Sequence, residues 1–319
     1  MLSVQTPAKV NLFLNIRPRR PDGYHEISSV MQAVRLCDQL DISPRRDGKP
    51  GLLFTCNVPQ FEQDAENNLV VKAYRLFWRE TGLPPLGLHV HLTKKIPAQA
   101  GLGGGSSDAA AMLVVLNHLA HTRFSEEQLR DMGAKLGSDV PFFIAGGTAL
   151  VSGRGEIVQP LPANLMPDLG LVIIKPLQLP IDTSLAYHRY AAYDRYEIYS
   201  PDHLLSALKV LKQKRRIRDS LPLESYLLND FEKVLFPEYP LLGDMARRMR
   251  EAGIQRPMLS GSGSAMIGFI EPGQEIRQRI GSLFPKSQYE IHWAETWSGG
   301  LMQVDASSGK AILPEPALV

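Results

Sequence analysis

The stretch GLGGGSSD, Gly101 to Asp108, packs four glycines and two serines directly before the apolar run AAAMLVVLNHLA. Glycine lets a backbone turn sharply and bring its N–H groups close to an anion. A helix starting there adds unpaired first-turn N–H groups and the positive end of its dipole. Ser106 or Ser107 is expected to cap that helix, leaving the other hydroxyl for a phosphate or its metal ion. Spacing excludes two better-known cradles. No lysine stands beside these glycines as in GxxxxGK followed by Ser or Thr, and a GxGxxG pattern begun at Gly101 and Gly103 meets Ser106 at its third glycine. The segment reads as a polyphosphate cradle; the alternative is a flexible turn ahead of a core helix.

Three further clusters give the cradle a context. PAKVNLFL puts Lys9 and Asn11 two apart on a strand, hence on one face, with Val10, Leu12 and Leu14 on the other. That polar face is either functional or simply solvated. GSDVPFF sets Asp139 between Gly137-Ser138 and Pro141; it is either an Asx-turn residue or a carboxylate held stiffly enough to act as a base. LSGSGSA, Leu259 to Ala265, is a second glycine/serine turn, either a plain hairpin or a lining of N–H groups for a phosphate or substrate.

The elements that must position these groups follow from pattern. Strands are expected over Val4–Ile16, Ser28–Leu36, Gln39–Ser43 and Gly87–Leu92, with a turn at Asp22-Gly23. Helices are expected over Asn67–Glu80, Ser107–Ala120 and Ser125–Leu136, the last opened by a Ser125/Gln128 capping box. Gly146–Ser152 and Glu156–Leu161 read as a hairpin, and Pro160, Pro162 and Pro167 mark a domain boundary. Beyond it come a strand at Leu169–Lys175, helices at Leu204–Lys214 and Leu241–Ala252, and strands within Pro257–Ile270. The basic run Lys212–Asp219 reads as a solvated helix end.

Bulk properties narrow the function classes. A chain of 319 residues, 44% hydrophobic and 21% charged, suits two globular domains. A net charge of +2 argues for neither nucleic acid nor an acidic membrane as partner. Two cysteines, Cys37 and Cys56, make neither a disulfide framework nor a four-ligand zinc site. With no signal-peptide pattern and no membrane-length apolar run, the expected location is the cytoplasm.

Together, PAKVNL, the loop P-x-x-x-GLGGGSSD that starts at Pro97, and LSGSGSA resemble the three signature regions of the GHMP kinase superfamily. RPDGYHE, LGSDVPFF and GGTALVSGRGE make the chain similar to the branch that phosphorylates a cytidine diphosphate derivative of methylerythritol, from Pro7 to about Ile270. The resemblance implies a two-domain α+β fold, ribosomal S5-like over residues 1–162 and ferredoxin-like over 163–319, with the active site in the interdomain cleft. The tail after about residue 297 stays unassigned, and Tyr193–Leu221 departs from the pattern. The implied reaction takes ATP as co-substrate, with Mg²⁺.

Carried over residue by residue, Asp139 is implied as catalytic base and Lys9 as its partner, an ammonium that favours the ionised carboxylate. Asn11 and Thr183 are implied near the substrate, His25 at the cytosine edge, and Tyr24 and Tyr187 on its faces. ATP falls to Pro97, Gly101, Leu102, Gly103, Gly104, Gly105, Ser106 and Ser107, its adenine to Asn68, Leu69 and Lys94, and the metal to Ser107. Two rivals stand beside this reading: a kinase for another small alcohol, such as mevalonate or homoserine, and a ligand sensor on the same fold. Neither explains both the base-stacking aromatics and the Lys9/Asp139 pair.

Overall fold

The computed structural model describes residues 1–163, 165–193, 195–214, 223–270, 274–304 and 311–312. Two long antiparallel strands open the chain, β1 (Leu2–Arg19) and β2 (His25–Pro44). Then come β3 (Leu52–Cys56), α1 (Pro59–Gln63), α2 (Leu69–Thr81), β4 (Leu88–Thr93), α3 (Gly104–Leu119), α4 (Glu126–Ala134), α5 (Val140–Ala145), β5 (Thr148–Ser152) and β6 (Ile157–Pro160). The second half runs β7 (Gly170–Pro176), α6 (Thr183–Tyr193), α7 (Asp202–Lys214), β8 (Leu228–Asn229), α8 (Glu232–Glu238), α9 (Pro240–Glu251), β9 (Met258–Leu259) and β10 (Met266–Ile270). It ends with α10 (Gln274–Leu283), β11 (Tyr289–Glu295), β12 (Met302–Val304) and β13 (Ala311–Ile312).

Among the described residues these strands form two sheets. The larger is ordered β13-β12-β1-β2-β4-β3, with β5 on β2, β6 on β5 and β8 on β1; the smaller is an antiparallel β11-β7-β10-β9. β1 to β6 lie before residue 162 and the smaller sheet lies after it, yet β8, β12 and β13 return to the first sheet. The tail therefore adds two strands to the amino-terminal sheet. The halves are also stitched by Trp297 N–H to Ala33 O at 2.8 Å and Gly147 N–H to Gly299 O at 2.8 Å.

Local signals explain most elements. α2 buries Val70, Ala73, Tyr74 and Phe77 along one stripe, and the Asn68 side chain accepts from Val70 N–H at 2.9 Å to cap it. α4 begins with the expected capping box: Gln128 N–H donates to Ser125 Oγ, and Ser125 N–H donates to Gln128 Oε1. Ser125 is exposed, so its contribution is the cap alone. Ser125→Ala is expected to lower unfolding free energy by about 1 kcal/mol and Ser125→Gly by a few tenths, read from denaturant midpoints.

Two expectations need correction. Ser28–Leu36 and Gln39–Ser43 are parts of a single strand, β2, whose pairing with β1 is irregular between Pro7 and Ala8 rather than broken. Leu14 does not share a face with Val10 and Leu12. A bulge between Asn11 and Phe13 flips the alternation, so Val10, Leu12 and Phe13 pack with Leu171, Ile173 and Leu208, while Leu14 joins Ile16 in the other core. The run Lys212–Asp219 lies largely outside the described residues. None of the described helices is long and apolar enough to cross a membrane.

Candidate active site

A cleft of about 860 Å³ collects every site residue expected from the sequence except Ser107. Its floor is β1. Lys9 and Asn11 are buried rather than solvated: the Lys9 ammonium donates to Asn11 Oδ1 at 2.7 Å. Asn11 Nδ2 donates to Ser29 Oγ at 2.9 Å, and the Ser29 hydroxyl donates to Phe13 O at 2.6 Å. This chain fixes the lysine's direction, because a buried amide with both ends engaged cannot rotate without losing a bond. Asn11 thus positions Lys9 from beneath, beyond its expected place beside the substrate.

Asp139 sits at the first residue before α5, yet its carboxylate makes no capping bond. Instead it faces the cleft, 3.8 Å from the Lys9 ammonium and with 31% of its side chain exposed. The turn Gly137-Ser138 and Pro141 at the start of α5 hold its backbone, leaving the carboxylate accessible to a ligand.

The glycine loop closes one side. Gly101 has φ +73°, and a Cβ built on it would lie 1.8 Å from Ser260 O. No side chain fits there. The second glycine/serine turn is the reason: Ser260 donates its hydroxyl to Gly101 O at 3.0 Å and Ala265 N–H reaches Ala100 O at 3.3 Å. Asn229, beside β1, holds that turn through Leu259 O and Gly261 O at 3.0 and 2.8 Å. Leu102 O accepts from Lys9 N–H at 2.9 Å, so strand, loop and turn form one unit.

The capping expectation is corrected here. α3 starts at Gly104, three residues earlier than the apolar run implied, and its cap position is Gly103 with φ +71° and no side-chain cap. The first-turn N–H groups are thereby left for a ligand. Ser106 lines the cleft, whereas Ser107 is fully buried and its hydroxyl has no hydrogen-bond partner among the described residues.

Beneath this loop lies an ionic cluster that no local sequence pattern signals. Lys94 sits between Asp38 and Asp108, donating to Asp108 Oδ2 at 2.9 Å. Asp38 Oδ1 also accepts from Lys95 N–H and, at 2.8 Å, Ile96 N–H, and Thr6 donates to Asp108 Oδ1 at 2.7 Å. Burial pushes the Asp108 carboxyl up to about 6, partly opposed by the Lys94 ammonium. Lys94 therefore lines the expected adenine side while its charge is committed to two carboxylates. The one clue in the sequence is Asp38 itself, which follows Leu36 and Cys37 in a stretch that otherwise reads as strand, where aspartate is disfavoured.

At the other end stands an aromatic box. His25 is buried and lies nearly parallel to Tyr187, with centroids 5.7 Å apart at 17°. Its Nδ1 is 2.9 Å from Arg17 O. A carbonyl only accepts, so Nδ1 carries a proton, and the tautomer protonated there alone presents Nε2 as an acceptor. Burial, and after it the Asp139 carboxylate, raise the Tyr187 phenol well above its ordinary range. Tyr24 is 53% exposed at the rim, and Thr183 shares a 2.8 Å hydrogen bond with Ser262 of the second glycine/serine turn.

Known proteins match this chain in sequence and in fold. A model described as the GHMP kinases N terminal domain matches residues 68–147. The chain is 35% identical to the 4-diphosphocytidyl-2-C-methyl-D-erythritol kinase of Synechococcus sp. (strain JA-3-3Ab), covering 89% of this chain and 91% of that one. It is 33% identical to the protein of that name from Gloeobacter violaceus, over 96% and 97% of the two chains. A crystal structure of 4-(cytidine 5'-diphospho)-2C-methyl-D-erythritol kinase superposes with a TM-score of 0.76 at 32% identity, covering 93% of this chain and all of that one. Homoserine kinase from Cytophaga hutchinsonii, at 20% identity and a TM-score of 0.67, shares the fold. With the two-domain α+β architecture, the glycine cradle and relatives matched along nearly their whole length, the chain belongs to the 4-diphosphocytidyl-2-C-methyl-D-erythritol kinase family of GHMP kinases.

Proposed function

We propose that the protein transfers the γ-phosphoryl group of ATP to the tertiary 2-hydroxyl of 4-diphosphocytidyl-2-C-methyl-D-erythritol, in the non-mevalonate route to isoprenoid precursors. The observation that carries this reading is the placement of Asp139 and Lys9 between the glycine loop and the aromatic box, within one cleft. Phosphoryl transfer asks a protein chiefly for positioning and charge stabilisation. The N–H groups of Gly101 to Ser106 and the start of α3 hold the ATP phosphates, and Asn68, Leu69 and Lys94 line the adenine side.

Asp139 accepts the hydroxyl proton. An aliphatic hydroxyl is far less acidic than a carboxylic acid, so the proton leaves with or after P–O bond formation, and geometry outweighs basicity. Lys9, aimed by Asn11, orients the hydroxyl and carboxylate and offsets charge on the transferring group. Mg²⁺ accompanies ATP. Ser106 and Asp139 line the cleft and fit a hard cation held largely by phosphates and water; the buried Ser107 hydroxyl does not face it. When bound, the ion neutralises phosphate charge. Two free thiols, Cys37 and Cys56, are in keeping with a cytoplasmic protein.

Cytosine lies between the rings of Tyr24 and Tyr187, where stacking contributes about 1–3 kcal/mol without choosing a base. Choice comes from His25 Nε2, an acceptor that matches the amino group of cytosine and opposes the carbonyl of uracil. Replacing His25 by Ala is expected to erase a cytidine-over-uridine preference of about 1–3 kcal/mol in kcat/KM, measured with the two diphosphate substrates. An unchanged preference would remove His25 from base selection.

The position of transfer is read by ³¹P NMR of the product. A tertiary carbon bears no proton, so the new phosphomonoester resonance is expected without carbinol proton splitting. A doublet or triplet would place the phosphate on a secondary or primary hydroxyl and refute the assignment.

A further inference from the structure

Four lysine and arginine side chains line the cleft: Lys9, Arg19, Lys94 and Arg154. Lys9 is bonded to Asn11 and paired with Asp139, and Lys94 lies between Asp38 and Asp108. Arg19 gives its Nε to Gly23 O at 2.7 Å. Arg154 is different. Among the described residues its guanidinium makes one long ion pair, with Glu156 at 3.9 Å, and no hydrogen bond. The group lies over the Tyr24 ring, 5.1 Å from its centroid. One face of the guanidinium is stacked while its N–H edge remains available.

The hairpin tip that carries Arg154 is fixed on two sides. Gly153 N–H donates to Glu26 Oε1 at 2.8 Å and Gly153 O accepts from Ile27 N–H at 2.8 Å, tying the tip to β2 beside Tyr24 and His25. Gly155 packs against the residue before Asp139: a Cβ built on it would lie 3.1 Å from Ser138 Cβ. Arg154 N–H is held by Glu156 Oε2 at 2.7 Å. The tip thus spans the base end and the reacting end of the cleft. In the proposed substrate those two ends are joined by a diphosphate.

We infer that Arg154 binds the diphosphate of the cytidine substrate, its guanidinium edge on the phosphate oxygens and its face on Tyr24. The assignment rests on the function proposed above. A planar guanidinium can meet phosphate with two parallel hydrogen bonds and stack on an aromatic ring at once, which an ammonium cannot do.

The test is calorimetric titration of wild type, Arg154→Gln and Arg154→Lys with cytidine, with cytidine 5'-diphosphate and with ATP. Arg154→Gln is expected to weaken cytidine diphosphate by roughly 10- to 100-fold, the scale of charge-assisted hydrogen bonds, while leaving cytidine and ATP unchanged. Arg154→Lys falls between, because it keeps the charge and loses the fork. Equal loss for cytidine and its diphosphate would show that Arg154 acts through Tyr24 alone and overturn the assignment. So would unchanged diphosphate binding in a wild type that binds both ligands. A wild type that binds neither would overturn the proposed function, and this assignment with it.

Discussion

Asp139→Asn is expected to lower kcat by about 10²–10⁴-fold while leaving the KM for ATP and for the cytidine substrate nearly unchanged. Asparagine fills the same space and can still meet a hydroxyl, yet it cannot accept a proton. The fold should not suffer. The Lys9–Asp139 pair is long at 3.8 Å and its carboxylate is 31% exposed, so although the Lys9 side chain is buried the two do not form a tight buried ion pair. Lys9 keeps its 2.7 Å bond to Asn11 in the variant. Stability and ligand affinity, measured beside turnover, separate this account from a structural one. A variant that folds, binds both ligands and retains more than about a tenth of wild-type kcat would remove the base from the mechanism, since a general base contributes at least 10²-fold.

Gly101→Ala is expected to damage catalysis and fold together. A residue with a side chain at φ +73° costs roughly 1–2 kcal/mol. The larger effect is steric. The new methyl would sit 1.8 Å from Ser260 O and 2.8 Å from Ser260 C, both backbone atoms, so the loop or its partner turn must shift by more than an ångström. That turn also abuts Lys9: a Cβ on Gly261 would be 3.1 Å from its Nζ. Displacement on this scale is worth about 10² in rate, so kcat/KM should fall at least that far for both substrates. Gly105→Ala is the control. Its methyl would meet only Leu69 Cδ1, at 3.6 Å, and alanine is favoured over glycine inside a helix by about 1 kcal/mol. Thermal unfolding should therefore fall for Gly101→Ala and hold or rise for Gly105→Ala; equal shifts in the two would contradict the close approach of loop and turn.

What could be read from the sequence follows the range of each interaction. The α4 capping box and the stripe of α2 are local, and both are present where spacing puts them. The start of α3 departs from propensity: serine is the better cap, yet Gly103 takes the cap position and the second glycine/serine turn packs against the loop before it. Asp38 splits the apparent strand pattern of β2, yet it is satisfied inside the sheet by Lys94, Lys95 and Ile96, all more than 50 residues away. No local rule reaches that far. The flip of Leu14 depends on a bulge that only pairing with β2 reveals. Lys9, Asn11 and Asp139 were individually ambiguous; solvated face and turn residue were fair alternatives until burial and the 3.8 Å approach brought them together. The aromatic box is visible only through family resemblance, since Tyr187 is far along the chain from the adjacent Tyr24 and His25 and the three carry no periodic signal. Arg154 stands within GGTALVSGRGE with no local signal of a role, because its meaning lies in what the hairpin tip touches on either side.

The most direct test of the central claim is ADP formation from ATP and Mg²⁺ with 4-diphosphocytidyl-2-C-methyl-D-erythritol, beside mevalonate and homoserine at equal concentration. Turnover confined to the cytidine substrate, and lost in Asp139→Asn, is the result predicted. Turnover with mevalonate or homoserine instead would contradict the cytosine pocket while sparing the kinase, and no turnover with any of the three, despite ATP binding, would contradict catalysis itself.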